Sequence, residues 1–418
     1  MATQASIDAN PRIGSSHDLP GGEERPVPRL FINGRFLVQQ ATGVQRAARE
    51  VTVALDRLLG RGAVDADVTL LVPPGPWVQR LSLDYIKVET VGRFGGVLWE
   101  QFDLPGYARS GTLLCLGNSA PARSLTERDT DVVVMVHDVS FLDHPGAYKL
   151  TYRIGHRMML PLLMRAARAI VTVSETERER LVRLAPAAAP RISVAPNGGW
   201  STDIAASTGE VEGLPPPGYG LYVGSLSHRK NFARTLEAAI RLAREDGLHF
   251  VFVGATGRVL RQPRCDVPDD VADRIHFLGQ VNDAASLARI YRDARFLLFP
   301  SLYEACPLPP VEAAHFGCPV VVSNIPSMWE RCGRGVIYCD PLSVDSMLRG
   351  VRTVLADSAW RDRAIAAGQA MARRRCWQDQ AALVCVAALG EDCLANRASG
   401  GGATVAAAGP CGSVAVSV

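Results

Sequence analysis

The chain has 418 residues, 47% hydrophobic and 21% charged, with a formal charge of +3 at pH 7. That length exceeds what one core sustains, so two well-buried domains are expected. The near-balanced charge implies no nucleic-acid partner, although a local cluster of arginines could still rest on anionic lipid.

None of the ten cysteines forms a C-x-x-C pair or alternates with histidine at zinc spacing. Scattered reduced thiols fit a cytosolic enzyme. The first 29 residues lack the apolar centre of a signal peptide, and no uncharged apolar run reaches the length of a membrane span. A soluble cytoplasmic protein is expected, with peripheral contact at the inner face of the cytoplasmic membrane as its closest approach to lipid.

Residues 1–28 are rich in Pro, Gly, Ser and charge, and read as a disordered tail. Apolar runs then alternate with helical stretches: RLFINGRF, a helix from Gln45 to Leu59, VTLLVPP, TLLCLG, VVVMVHD, AIVTVS and RISVAPN. Continuous Val/Ile/Leu strands separated by helices indicate a parallel sheet buried on both faces. This gives a first domain over 29–205. The polar, Pro-rich stretch near 200–218 reads as a linker.

A second series follows, LYVGS, FVFVGA, IHFLG, FLLFPS, PVVVSN and GVIYCD, giving a second domain over 206–375. Residues 376–395 read as a closing helix and 396–418 as a small-residue disordered tail. The fold expected is α/β, two Rossmann-like domains whose parallel sheets face each other across a cleft, with ligands at the carboxyl ends of the strands.

Four segments carry candidate chemistry. After the first strand, QATGVQR places Gly43 where backbone could approach a phosphate or an acceptor, with Arg46 one turn into the helix. VVVMVHD puts His137 and Asp138 at the end of an apolar strand, where a doubly wound sheet presents ligand groups. LYVGSLSHRKN joins a strand to a helix through Gly224, Arg229 and Lys230. Free N–H groups at that helix start, with two full charges beside them, suit a diphosphate. SLYEACPLPPVEAAHFG places Glu304 and Glu312 with seven residues between them. An ionised carboxylate only accepts hydrogen bonds, which suits a vicinal diol.

The last segment resembles the E-x7-E signature of family 4 retaining glycosyltransferases, which have the two-domain GT-B fold and include bacterial mannosyltransferases. The resemblance extends over about residues 29–395, through the R-K-N loop, the H-D block and the closing helix around Trp377, which in that family crosses back onto the first domain. It implies that Glu304 approaches the donor sugar, that Glu312 holds the ribose hydroxyls, that Lys230 meets the donor phosphates with Arg229 beside it, and that His137 lies near the anomeric centre. Gly224, Leu308 and Gly43 complete the implied donor contacts. The segment departs from the usual E-G-F-G-L-P in reading Glu304-Ala305-Cys306-Pro307-Leu308-Pro309, so the amide that Pro307 lacks is not offered to the donor.

The activity implied is transfer of a hexose, mannose first, from a nucleotide-diphosphate sugar to a saccharide or polyprenyl-diphosphate-linked acceptor in bacterial surface polysaccharide synthesis. GDP-mannose is the first candidate donor and a UDP-sugar the second. No cofactor is expected, and no metal, because no D-x-D pair follows an apolar strand with room for a divalent ion. The rival readings are a sugar-nucleotide epimerase of the same fold, which would lack E-x7-E beside the R-K-N loop, and a catalytically silent scaffold, which donor turnover would exclude.

Overall fold

The computed structural model describes residues 27–394 except 41, 80, 128, 201–210 and 255–265. The expected tails, apart from residues 27 and 28, and most of the expected linker lie outside the described residues.

The first sheet has seven parallel strands: β1 (Arg29–Asn33), β2 (Asp67–Val72), β3 (Lys87–Thr90), β4 (Thr112–Cys115), β5 (Asp131–Met135), β6 (Ala169–Thr172) and β7 (Ile192–Val194). Their order is β3-β2-β1-β4-β5-β6-β7. The second has six: β8 (Tyr219–Val223), β9 (Phe250–Val253), β10 (Ile275–Gly279), β11 (Ala294–Phe299), β12 (Val320–Ser323) and β13 (Ile337–Cys339), in the order β10-β9-β8-β11-β12-β13. Each sheet therefore reverses its strand order once, between β1 and β4 and between β8 and β11. A crevice opens at such switch points, beyond the carboxyl ends of the strands.

The sequence pattern passes over β3. All four of its residues, Lys-Val-Glu-Thr, are exposed on the sheet edge, so it has no apolar run to announce it.

The helices that matter for the site are α1 (Gly43–Gly60), α2 (Ala122–Glu127), α3 (Leu150–Ala166), α4 (Glu175–Leu184), α5 (Phe232–Glu245), α6 (Ala284–Asp293), α7 (Pro309–His315), α8 (Pro326–Cys332) and α9 (Trp377–Leu389). In α5, Phe232, Thr235, Leu236, Ala239, Leu242 and Ala243 recur at helical spacing and are buried. Two core clusters flank each sheet. On one face of the first sheet, α1 and α9 pack together, joining Val51 and Leu55 to Trp377, Ala381 and Val384. On the other face, Trp99 and Leu104 of the helical segment Gly96–Tyr107 share a cluster with Leu163 and Met164 of α3 and Leu181 of α4.

Helix α9 follows the second sheet in sequence yet lies on the first. Trp377 donates its indole N–H to the Gly199 carbonyl (2.8 Å), and Gln380 donates to Ala195 O (2.8 Å) and Asn197 Oδ1 (3.0 Å). The chain thus crosses between the sheets twice, and the crossings touch each other.

Candidate active site

At the second switch point the loop after β8 meets the loop after β11. Gly224 follows β8 with φ +156, a conformation that favours glycine. Gly254, at the end of the neighbouring strand, could not carry a side chain, because its Cβ would stand 1.9 Å from the Gly224 carbonyl. The loop then turns through Asn231, whose left-handed backbone (φ 59, ψ 34) starts α5. Asn231 Nδ2 donates to Pro300 O (2.9 Å) and Pro341 O (2.6 Å), and the Leu302 N–H donates to Arg229 O (2.9 Å). These bonds fasten the loop to the end of β11.

This brings together three of the residues singled out in the sequence. Lys230 Nζ lies 2.5 Å from Glu304 Oε1 and 4.9 Å from the centre of the Phe299 ring. Arg229 Nη1 donates to Tyr303 O (3.1 Å) and lies 3.9 Å from Glu304 Oε2. All three side chains are largely withdrawn from solvent. Burial pushes the Lys230 ammonium below its usual range and Arg229 adds to that, while Glu304 opposes it. Two buried cations share one carboxylate at a helix start, which is an arrangement that gains from an incoming anion.

Glu312 sits elsewhere, in the first turn of α7 and buried. Arg46 Nη1 is 2.7 Å from its Oε1, and Tyr291 of α6 donates a hydroxyl to its Oε2 at 2.8 Å. Arg46 comes from the first turn of α1, so this pair joins the two domains, and its guanidinium lies 5.6 Å from the centre of the Trp200 ring. Leu308 is buried against the first domain, and its carbonyl accepts the N–H groups of Val311 and Glu312, both at 3.0 Å. Gly43 opens α1, exposed, with nothing within 4 Å of where a Cβ would stand. Space for a ligand is there, but packing places no demand for glycine.

His137 follows β5 and is buried, with Nε2 2.9 Å from Leu116 O. A carbonyl only accepts, so the proton sits on Nε2. Burial pushes this imidazole below its usual range, leaving it neutral at pH 7. Its backbone N–H donates to Asn118 Oδ1 at 2.6 Å.

The neighbouring Asp138 is the residue whose role the sequence pattern does not reveal. Its Oδ1 accepts from the Ser140 hydroxyl (2.7 Å) and N–H (3.1 Å), and it stands within electrostatic range of Arg229, Lys230 and Tyr303. His144 is edge-on to the Tyr303 ring with centres 5.6 Å apart. Asp138 has no signal beyond lying just after the end of β5, and His144 follows the short helix Ser140–Asp143 with none of its own.

Further polar contacts hold the cleft walls together. Tyr303 donates its hydroxyl to Glu177 of α4 (2.8 Å to Oε2), which also accepts the Val139 N–H at 2.8 Å. Burial, with Asp138 adding to it, pushes the Glu177 carboxyl up to about 7. Glu330 of α8 accepts the N–H groups of Glu175 (2.7 Å) and Thr176 (3.0 Å) at the start of α4. Cys306 packs part-buried against the first-domain core as an apolar filler. At the other switch point Arg35 bridges Glu100 (2.9 Å) and Ser119 (2.9 Å), and Asn33 donates to Glu100 at 2.7 Å. Glu100 lies in a π-helical turn, Trp99–Asp103, of the kind that often accompanies functional sites.

Residues 218–357 match the family model described as glycosyl transferases group 1, and residues 35–198 match the one described as glycosyltransferase family 4. The chain is 31% identical over 275 residues to O-antigen chain mannosyltransferase B of Escherichia coli, covering 61% of this chain and 69% of that one. It is 23% identical over 222 residues to O-antigen chain mannosyltransferase RfbU of Salmonella typhimurium, covering 53% of this chain and 60% of that one. Among solved structures, sucrose-phosphate synthase from Thermosynechococcus elongatus superposes with a TM-score of 0.65 at 17% identity, covering 85% of this chain and 96% of that one. At that identity the likeness concerns the GT-B fold alone.

Proposed function

Because the chain belongs to glycosyltransferase family 4 and is a glycosyltransferase, we propose that it is a retaining hexosyltransferase that moves mannose from GDP-mannose to a saccharide or lipid-linked acceptor in surface polysaccharide synthesis. The observation that carries this reading is the buried Lys230–Glu304 pair with Arg229 at the β8/β11 switch point. The identity to O-antigen mannosyltransferases supports the choice of mannose. A UDP-sugar is the second candidate donor.

The chemistry follows from the charges. The donor diphosphate takes the place of Glu304 as the partner of Lys230, with Arg229 and the first amides of α5 completing the anion site. Glu304 is thereby released as an acceptor for sugar hydroxyls. As the bond from the anomeric carbon to the diphosphate oxygen breaks, negative charge grows on that oxygen beside the two cations, the place where preorganised charge lowers a barrier most. The acceptor hydroxyl attacks the oxocarbenium-like centre from the face the diphosphate leaves, and the departing phosphate oxygen takes its proton. Neutral His137 and the neighbouring Asp138 line the acceptor side. Glu312, held by Tyr291 and Arg46, receives the ribose hydroxyls. The protein's own cations supply the neutralisation, so no metal ion is required.

A thermal-shift panel of GDP-, UDP- and dTDP-sugars in excess chelator tests this reading. A ligand that binds only the folded state raises the midpoint by mass action, about 2.7 kcal/mol at a hundred times Kd. GDP-mannose is expected to give the largest shift. A shift that appears only with added magnesium or manganese contradicts metal independence, and a largest shift with a UDP-sugar replaces the donor.

A further inference from the structure

From His144 to Ser174 the chain has no acidic residue, but it carries Lys149, Arg153, Arg157, Arg165 and Arg168. Most of this stretch is α3. On that helix Leu150, Ile154 and Met158 recur every fourth residue and so share one flank, and they are 64%, 51% and 74% exposed. Lys149, Arg153 and Arg157 each precede one of the three, so cations run beside the apolar row, Lys149 and Arg157 exposed and Arg153 half-buried. None of these three bases has an ion-pair partner among the described residues. The helix therefore has the division of faces of one that lies in a membrane interface, apolar on one side and basic along the flank.

A second exposed apolar group lies on the same side of the first sheet. The segment Gly96–Tyr107 belongs to the same helical layer, since its Trp99 and Leu104 share a core cluster with Leu163 and Met164. Its outer side, with Phe94 just before it, leaves Phe94, Val97, Leu98 and Phe102 exposed. Phe94 and Phe102 stand edge-on with ring centres 6.4 Å apart, and exposed apolar side chains grouped in this way mark an interaction site. The α3 row also begins at the cleft. Tyr148, just before the helix, shares a hydrogen bond with Ser140 and stands within electrostatic range of Arg229 and Glu304.

We propose that this face docks the protein on an anionic lipid bilayer, with the apolar row entering the headgroup boundary, the cations meeting lipid phosphates, and the acceptor end of the cleft opening at the membrane surface. Charge complementarity selects lipid over a second copy of the chain, because two such cationic faces would repel each other. The proposal rests on the transferase reading only for the direction of the cleft; docking is measured without sugar transfer.

The test is co-sedimentation of the full chain with phosphatidylcholine vesicles that contain phosphatidylglycerol, against vesicles of phosphatidylcholine alone. Binding is expected to the anionic vesicles and to weaken with salt. The double variant Lys149→Gln/Arg157→Gln should lose roughly thirtyfold in affinity, a factor of about five for each base. Ile154→Ser/Met158→Ser should also bind less, and both variants should keep transfer to a soluble acceptor. Equal binding by wild type and variants, no preference for the anionic vesicles, or a wild-type dimer in ultracentrifugation that Ile154→Ser/Met158→Ser dissociates would each overturn the proposal. Normal docking by a protein without transferase activity would uphold it and sink the mannosyl-transfer reading alone.

Discussion

Lys230→Ala is expected to lower turnover by about a hundredfold or more, with the fold intact. The ammonium sits where leaving-group charge develops, and losing one preorganised donor at such a place typically costs about 2.7–4 kcal/mol of barrier. Water cannot substitute well, since the site is nearly withdrawn from solvent, and Arg229 already serves the anion there and adds no second replacement charge. Lys230→Arg should recover part of the loss, because charge is kept while the compact point of contact is not. Turnover within a factor of two of wild type in Lys230→Ala, with unchanged thermal unfolding, would assign Lys230 to structure alone.

The two glutamates should separate in a second experiment. Glu312→Gln is expected to weaken binding of the free nucleoside diphosphate as well as of the sugar nucleotide, because ribose is common to both. Glu304→Gln should leave nucleoside diphosphate affinity almost unchanged while lowering turnover or shifting preference among donors with one base. A charge-assisted hydrogen bond is worth roughly 1.5–3 kcal/mol, which calorimetry resolves. Glu312 also neutralises Arg46 across the domain boundary, so thermal unfolding of Glu312→Gln is read in parallel to separate lost stability from lost affinity. Equal losses of bare-nucleotide affinity in both variants would refute the division of roles, and a loss at Glu304 alone would reverse it.

The fold was legible wherever a strand is buried on both faces. Central strands such as β4, β5, β9 and β12 are continuous apolar runs; β3 is not, because an exposed edge strand needs no apolar side chains. The donor-side cluster was legible because its residues sit in two short loops whose strands are neighbours at a switch point. The pairing of Lys230 with Glu304, 74 residues apart, was not, since it depends on how Asn231 ties one loop to the other. Arg46 shows the same limit more sharply. Its place one turn into α1 was readable, but its partner lies 266 positions further on, in the other domain. Asp138 is read as half of a dipeptide. The cross-domain approach of Arg229 and Lys230, with Glu177 on its own side, gives it an electrostatic role. Glu177 gave no signal at all, being one of several glutamates in a polar helix, and it is burial, with Asp138 nearby, that pushes its carboxyl up against the opposing hydrogen bond from Tyr303.

The most direct test of the central claim is the configuration of the new glycosidic bond. With GDP-mannose as donor and a soluble saccharide acceptor, the one-bond carbon–hydrogen coupling at the transferred anomeric centre is read by nuclear magnetic resonance. Same-face attack at the Lys230–Arg229–Glu304 site predicts that the product keeps the donor's α configuration. A β-linked product would contradict the mechanism, because it requires attack from the face opposite the departing diphosphate.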